Sequence, residues 1–278
     1  MLPFLMVLAI LFFCGIYIYW GNNTLAVHEE TISVPALPEE FDGLHIAHLS
    51  DLHGKEFGKG NIRLLTAVSN AQPDLIFITG DLIDQASQFE ILPELAEGLA
   101  AIAPTYYVTG NHEWAVRHVP ELKKLLGEHG IRVLTNEYEL WNRNGAVLAI
   151  AGVDDPNGPA DQKTGTELRQ EIQADCTLLL THRDNVEEYA SWGYDVVFCG
   201  HGHGGIFRIP IFDRGLLSTK RTFFPKYDGG AYTLGENYTC YVSEGWATIR
   251  FQSTHSVCST ARIFPSSLCA QALNSFHR

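Results

Sequence analysis

Five short runs carry the residues that could do chemistry: Ser50-Asp51-Leu52-His53, Gly80-Asp81, Gly110-Asn111-His112-Glu113, Thr181-His182 and Gly200-His201-Gly202-His203. Each follows a stretch of apolar, strand-like residues. That placement sets carboxylates, imidazoles and one amide at the C-terminal ends of several strands, where an open α/β sheet builds its site. Hard oxygen donors mixed with imidazoles suit a pair of divalent ions, and a metal pair suits phosphoester hydrolysis.

Taken singly, the runs are ambiguous. Asp51 and His53 are two apart at a strand end, so alternation would point both to one face, where they can share an ion. A surface Asp beside a capping His reads equally well. Gly80 lets backbone and ion approach Asp81 closely. The side-chain oxygen of Asn111 can ligate a hard cation while His112 faces the substrate as general acid for a leaving alkoxide. The alternative is a turn with a left-handed Asn and a solvated His. Glu113 is either a group supporting the ligands from behind or a solvated carboxylate at a helix start. His182, His201 and His203, at the ends of adjacent strands, do not have the placement of core histidines. His28, His45, His48, His118, His129, His255 and His277 read as surface or packing residues, and Asp154-Asp155, after a strand, reads either as a border of the site or, more readily, as a polar loop.

These residues need a scaffold. The chain has 278 residues, enough for one large α/β domain. Its net charge of −13 argues against a nucleic-acid partner and against electrostatic adhesion to anionic lipid. Six scattered cysteines with no CxxC pair indicate buried thiols, not a disulfide framework or a zinc knuckle. Leu2 to Trp20 carries no charge and is almost wholly apolar, about the length that spans a bilayer. It lacks a basic start and a small-x-small cleavage site, and Tyr17, Tyr19 and Trp20 resemble an interfacial belt. Residues 1–21 are therefore expected to be an uncleaved membrane anchor. No Lys or Arg precedes Lys55, so charge sets no orientation.

Strand patterns at 44–49, 74–78, 106–108, 177–180 and 195–199 alternate with helical ones at 61–70, 89–102, 120–127, 166–174 and 185–191. Further strands at 131–134, 138–141 and 146–151, the last two joined by the turn Arg143-Asn144-Gly145, suggest a second sheet. The fold class is α/β.

With these motifs in this order, the chain resembles the calcineurin-like metallophosphoesterases from Gly43 to about Pro210. The apolar leader and the phrases Ile46-Ala47-His48-Leu49-Ser50-Asp51-Leu52-His53 and Gly200-His201-Gly202-His203-Gly204-Gly205 look like a bacterial, membrane-anchored subgroup of predicted phosphohydrolases. The resemblance implies a four-layer α/β/β/α sandwich of two mixed sheets flanked by helices, with residues 22–243 as the catalytic domain. It implies that Asp51, His53 and His203 hold a first divalent ion and Asn111, His182 and His201 a second. Asp81 would bridge both ions, and His112 would assist the leaving group. The ions would be Mn, Fe or Zn. A hydroxide between them would attack a phosphomonoester, phosphodiester or pyrophosphate. With an anchor at a bacterial inner membrane, a lipid-linked phosphate is an attractive substrate.

Two rivals differ in class. A metal-dependent amidohydrolase or peptidase also uses His and Asp at strand ends, but the Asn111-His112 pair counts against it. A non-catalytic scaffold of the same fold would have lost ligands, and none is missing. The likeness stops near Ser243. Subgroup members continue with a Gly-(Leu/Ile)-Gly turn, a Pro, an Asn-Arg-Pro-Glu run and a final strand. This chain reads Glu244-Gly245-Trp246-Ala247 and ends in a Ser- and Cys-containing tail. A shifted reading frame over Glu244 to Ile263 permits the missing segment in order. Residues 244–278 are thus expected to be a frameshifted tail that packs poorly and leaves a sheet edge uncovered.

Overall fold

The computed structural model describes residues 2–253 apart from 24, 26, 206, 210–213 and 236; for 207–209, 246–253 and parts of the first helix it describes the backbone alone. In chain order the elements begin α1 (Leu2–Asn23), β1 (His28–Val34), β2 (His45–Leu49), α2 (Ile62–Asn70), β3 (Leu75–Thr79), α3 (Leu92–Ile102), β4 (Thr105–Val108), α4 (Asn111–Val116), α5 (Val119–Glu128) and β5 (Arg132–Val133). There follow β6 (Glu137–Arg143), β7 (Ala146–Gly152), α6 (Gly165–Glu171), β8 (Cys176–Leu180), α7 (Val186–Tyr189) and β9 (Val196–Cys199). The described chain closes with β10 (Phe207–Ile209), β11 (Arg214–Leu217), β12 (Gly230–Leu234), β13 (Tyr238–Val242) and β14 (Trp246–Ser253).

Two mixed sheets pack face to face, in the orders β1-β14-β2-β3-β4-β5 and β12-β13-β9-β8-β7-β6. The apolar runs of β3 and β8 are buried along their whole length, as central strands covered on both faces must be. Ile46, Phe77, Tyr106, Leu148, Leu178 and Phe198 belong to the core between the sheets. The outer face of the first sheet is covered by α2, α3 and α5, whose buried Leu64, Val68, Leu95, Leu99, Leu122 and Leu126 recur at helical spacing. Leu168 of α6, with Val186 and Tyr189 of α7, covers the second sheet. The four-layer expectation is met. The β6–β7 hairpin closes through Asn144 and Gly145, both at positive φ, the two-residue turn that suits right-twisted strands.

One expectation needs correction, and a second finds no support. Residues 246–253 do not leave an edge bare. Their backbone forms β14 between β1, to which it is parallel, and β2, to which it is antiparallel. Ala247, Ile249 and Phe251 alternate with Thr248, Arg250 and Gln252, a strand period present in the sequence. The rest of the atypical tail, 254–278, lies outside the described residues. The N-terminal segment forms a 22-residue helix without charge, and Phe4, Leu5, Met6, Leu11, Phe12 and Phe13 are exposed on it. Among the described residues, however, no helix is long and apolar enough to cross a membrane. Several α1 side chains are not among them.

His48 of β2 is a packing residue, as its sequence context indicated. It is fully buried between the sheets, edge-on to Phe198 and Tyr241, with Nε2 2.8 Å from Thr79 Oγ1 and Nδ1 unpartnered. Burial lowers its pKa from 6.5 to about 3. Between those values the unfolded chain binds one proton more than the folded chain, so this residue's effect is to lower stability as the pH falls. In chemical denaturation at a series of pH values, His48→Phe is expected to reduce the slope of unfolding free energy in that window by about 1.4 kcal/mol per pH unit.

Candidate metal centre

β2, β3 and β4 run parallel in one sheet, and β8 and β9 run parallel in the other. The loops leaving their C-terminal ends meet across the sandwich. Asp51 N–H donates to the Gly80 carbonyl (3.1 Å), His53 N–H to the Asp81 carbonyl (2.9 Å) and Gly200 N–H to the His182 carbonyl (2.9 Å). The two sheets are tied by His182 Nδ1, 2.7 Å from the Thr79 carbonyl, and by His201 N–H, which donates to both oxygens of Asp51.

The loop backbones lie too close for side chains. A Cβ on Gly80 would sit 2.4 Å from Gly110 N, one on Gly110 2.2 Å from Asp81 Oδ1, and one on Gly200 1.8 Å from Ser50 Oγ. Asp51, His53, Asp81, His201 and His203 all adopt the left-handed region, with φ between 50° and 66°. Each such residue costs on the order of 1 kcal/mol. Asp51 and His53 thus share the site through paired left-handed turns and not through strand alternation, because β2 has already ended at Leu49. Asn111 and His112 open α4, which sets aside the alternative reading of a turn with a left-handed Asn.

All the residues singled out in the sequence converge. His53 Nε2 lies 3.3 Å from His203 Nε2, which lies 3.5 Å from Asp51 Oδ1. His182 Nε2 lies 3.1 Å from Asn111 Oδ1, 3.2 Å from His201 Nδ1 and 3.1 Å from Asp81 Oδ2. Asp81 Oδ1 accepts the His112 N–H at 2.9 Å, while Oδ2 is buried without an aligned hydrogen-bond donor, despite its closeness to His182. Two groupings of possible ligand atoms, Asp51–His53–His203 and Asp81–His182–His201, each lie within 4.8 Å; a third joins His53, Asp81 and His112.

The donor geometry fits cations. His182 Nδ1–H donates to Thr79, so Nε2 faces an amide oxygen, another imidazole nitrogen and a carboxylate, and a cation that displaced its proton would meet a lone pair there. His53 does the same: Nδ1 is 2.6 Å from Asp84 Oδ1, leaving Nε2 to face His203. Burial alone would lower the His182 pKa, yet the Asp81 and Asp51 carboxylates and the Thr79 carbonyl raise it to about 9. The cluster therefore draws positive charge to Nε2. Burial, His182 and Arg183 push His201 down to about 4, which keeps that ring neutral. For Asp81 the neighbouring His182 and His112 outweigh burial and hold the carboxyl well below the usual range.

Sequence reasoning passed over the supporting groups Asp84 and Arg183 and left Glu113 and Asp154-Asp155 open. Asp84 Oδ1 contacts both His53 Nδ1 and His112 Nδ1, at 2.6 and 2.7 Å, and nothing in its sequence context separates it from a solvated loop acid. Asp154 and Asp155 are buried, not loop surface. Asp155 holds Arg183 through Nε (2.5 Å) and Nη2 (3.1 Å), leaving Nη1 3.3 Å from His201 Nε2. Glu113 is 1% exposed, so its reading as a solvated acid is wrong. Its Oε1 accepts the Leu82 and Ile83 N–H groups (2.6 and 3.3 Å), and its Oε2 those of Asp81 and Gly110 (3.0 and 2.7 Å). Burial and the Asp81 charge raise its pKa to about 7 against these donors. Glu113→Ala is expected to cost at least about 3 kcal/mol in urea denaturation, because it strands buried N–H groups. Glu113→Gln should also destabilise, since an NH2 would face two N–H donors.

Comparison with known proteins identifies the family. A family profile for calcineurin-like phosphoesterases matches residues 44–205. The metallophosphoesterase YkoQ of Bacillus subtilis is 30% identical over 217 residues, covering 74% of this chain and 78% of that protein. A Danio rerio transmembrane protein with a metallophosphoesterase domain is 30% identical over 77% of this chain; the match spans 51% of that longer protein. Among solved structures, the sulfate thiohydrolase SoxB of Thermus thermophilus superposes with a TM-score of 0.50 at 14% identity over 75% of this chain and 53% of its own, a likeness of fold alone. These relatives do not favour an amidohydrolase. The chain belongs to the calcineurin-like phosphoesterase family and is a metallophosphoesterase, a hydrolase of phosphoric esters.

Proposed function

We propose that the site holds two divalent ions, one on Asp51, His53 and His203 and one on Asn111, His182 and His201, with Asp81 shared between them. The observation that carries this reading is the buried Asp81 carboxylate where two groups of converging ligand atoms meet. Mn, Fe or Zn suits the mixed nitrogen and oxygen donors. Bound there, such ions would polarise phosphoryl oxygens and lower the pKa of water.

The chain's own groups supply the rest. His112 is half-exposed, and its Nδ1 is anchored on Asp84, which leaves Nε2 facing the site, 3.9 Å from Asp81 Oδ2. From there it can give a proton to a departing alkoxide. Arg183, fixed by Asp155, presents Nη1 beside His201, where it can take a phosphoryl oxygen.

The substrate is a phosphomonoester, phosphodiester or pyrophosphate. The uncharged, outward-facing apolar surface of α1 supports membrane association, as does the Danio rerio relative named for its membrane location. That favours a lipid-linked phosphate at a bacterial inner membrane.

The test is hydrolysis of aryl phosphodiesters and monoesters by the purified chain with and without Mn. Turnover should depend on metal and fall by at least about 10³-fold in Asp81→Asn. Metal-independent turnover, or an unaffected Asp81→Asn, would refute the two-ion site. His112→Asn should lower kcat by about 10²–10⁴-fold, and more for alkyl than for nitrophenyl leaving groups, which need no proton.

A further inference from the structure

Apolar surface is concentrated at one end of the sandwich. Outside α1, the large apolar side chains exposed among the described residues are Val27, Ile62, Leu140, Phe223 and Phe224. Leu140 lies midway along β6. The other four share the end that carries the catalytic loops.

Strand register establishes this. His28, at the start of β1, is level with Ala247, which is level with His48, one residue from the end of β2. Val27 therefore enters the domain beside the loop of Asp51 and His53. Ile62 opens α2 directly after that loop. Phe223 and Phe224 lie in a turn that leans on the loop following His182: Lys220 Nζ is 2.9 Å from Asp184 Oδ1 and 3.0 Å from Asn185 Oδ1. The C-terminal end of α1 lies near the same end, since Asn23 and His28 are only five residues apart and at most about 18 Å of chain can separate them.

The aromatic turn is a built feature. Ser218 N–H donates to the Thr222 carbonyl (2.9 Å), Arg221 N–H to the Ser218 carbonyl (2.9 Å), and Phe224 N–H to the Leu216 carbonyl (3.0 Å). The Ser218 and Thr222 hydroxyls are 2.7 Å apart. Arg221 and Phe224 sit at φ 60° and 52°, unusual for such bulky residues. This braced backbone holds Phe223 71% and Phe224 55% exposed. Lys220 and Lys226 pair with Asp184 and Glu187, so the turn offers water two phenyl rings flanked by Arg221.

We propose that this end of the molecule docks on a lipid bilayer, with Phe223 and Phe224 inserted among the headgroups beside the site, so that the phosphoester it takes is carried by a lipid. The inference rests on the phosphohydrolase reading above and specifies its substrate class. The net charge of −13 favours a zwitterionic surface over an anionic one. Both the aromatic turn and α1 would then meet the same leaflet, and a lipid phosphate would reach the ligands without leaving the interface.

Amide hydrogen exchange on the full chain tests this, comparing phosphatidylcholine vesicles with detergent micelles. The amides of 219–226 should exchange at least about tenfold more slowly in vesicles, while the turn Arg143-Asn144-Gly145 at the opposite end is unchanged. The double variant Phe223→Ser/Phe224→Ser should lose that protection and keep its turnover of a soluble aryl phosphoester within about twofold. Equal exchange of 219–226 in vesicles and micelles would overturn the proposal, as would protection that survives in the variant. Absent turnover of the soluble ester by the unaltered chain would instead count against the phosphohydrolase reading, and the exchange result would still decide docking.

Discussion

Everything at the site depends on how closely three loop backbones approach one another. Gly80, Gly110 and Gly200 lie where any Cβ would strike a neighbouring loop or a ligand oxygen. That closeness lets residues from five strands and two sheets share one small volume. Such contacts demand that the loops' N–H groups be satisfied internally, because water has no room to do so. The Glu113 carboxylate answers that demand at the junction of the β3 and β4 loops, binding four N–H groups at once. The cost is backbone strain at Asp51, His53, Asp81, His201 and His203 and a buried charge beside Asp81, offset by the packed sandwich beneath.

The same closeness creates the electrostatic character of the centre. Imidazole lone pairs and carboxylate oxygens face one another at 3.1–3.5 Å in places where hydrogen bonding cannot satisfy all of them. Their second atoms are already committed: His182 to Thr79, His53 to Asp84, and Asp51 to Ser50 and the His201 N–H. These outer contacts fix which atom points inward. Asp84 joins two tasks by orienting both a ligand candidate and the proposed proton donor His112, so the position of one is coupled to that of the other.

The strands and their site residues were legible because strand ends in an α/β fold leave a signature: an apolar run, then Gly, then a polar side chain. β3 followed by Gly80-Asp81 and β9 followed by Gly200-His201 are examples. The supporting groups were less legible because their roles are non-local. Glu113 lies beside Asn111 in sequence, but its partners are the amides of residues 81–83. Asp84 and Arg183 gain meaning only from rings brought to them by other strands. Asp154 and Asp155 read as a polar loop, yet Lys123 and Arg183 come from elsewhere in the chain to pair with them. β14 was hidden for another reason. Its alternation spans few residues, and it pairs with strands about two hundred positions away.

The most direct measurement of the central claim is the amount of Mn bound per folded chain at equilibrium, measured by elemental analysis after dialysis and paired with calorimetric titration. The account predicts two ions per chain, with both affinities weakened when the shared Asp81 is replaced by Asn. A folded chain that binds one ion or none, or that keeps both affinities in Asp81→Asn, would contradict it.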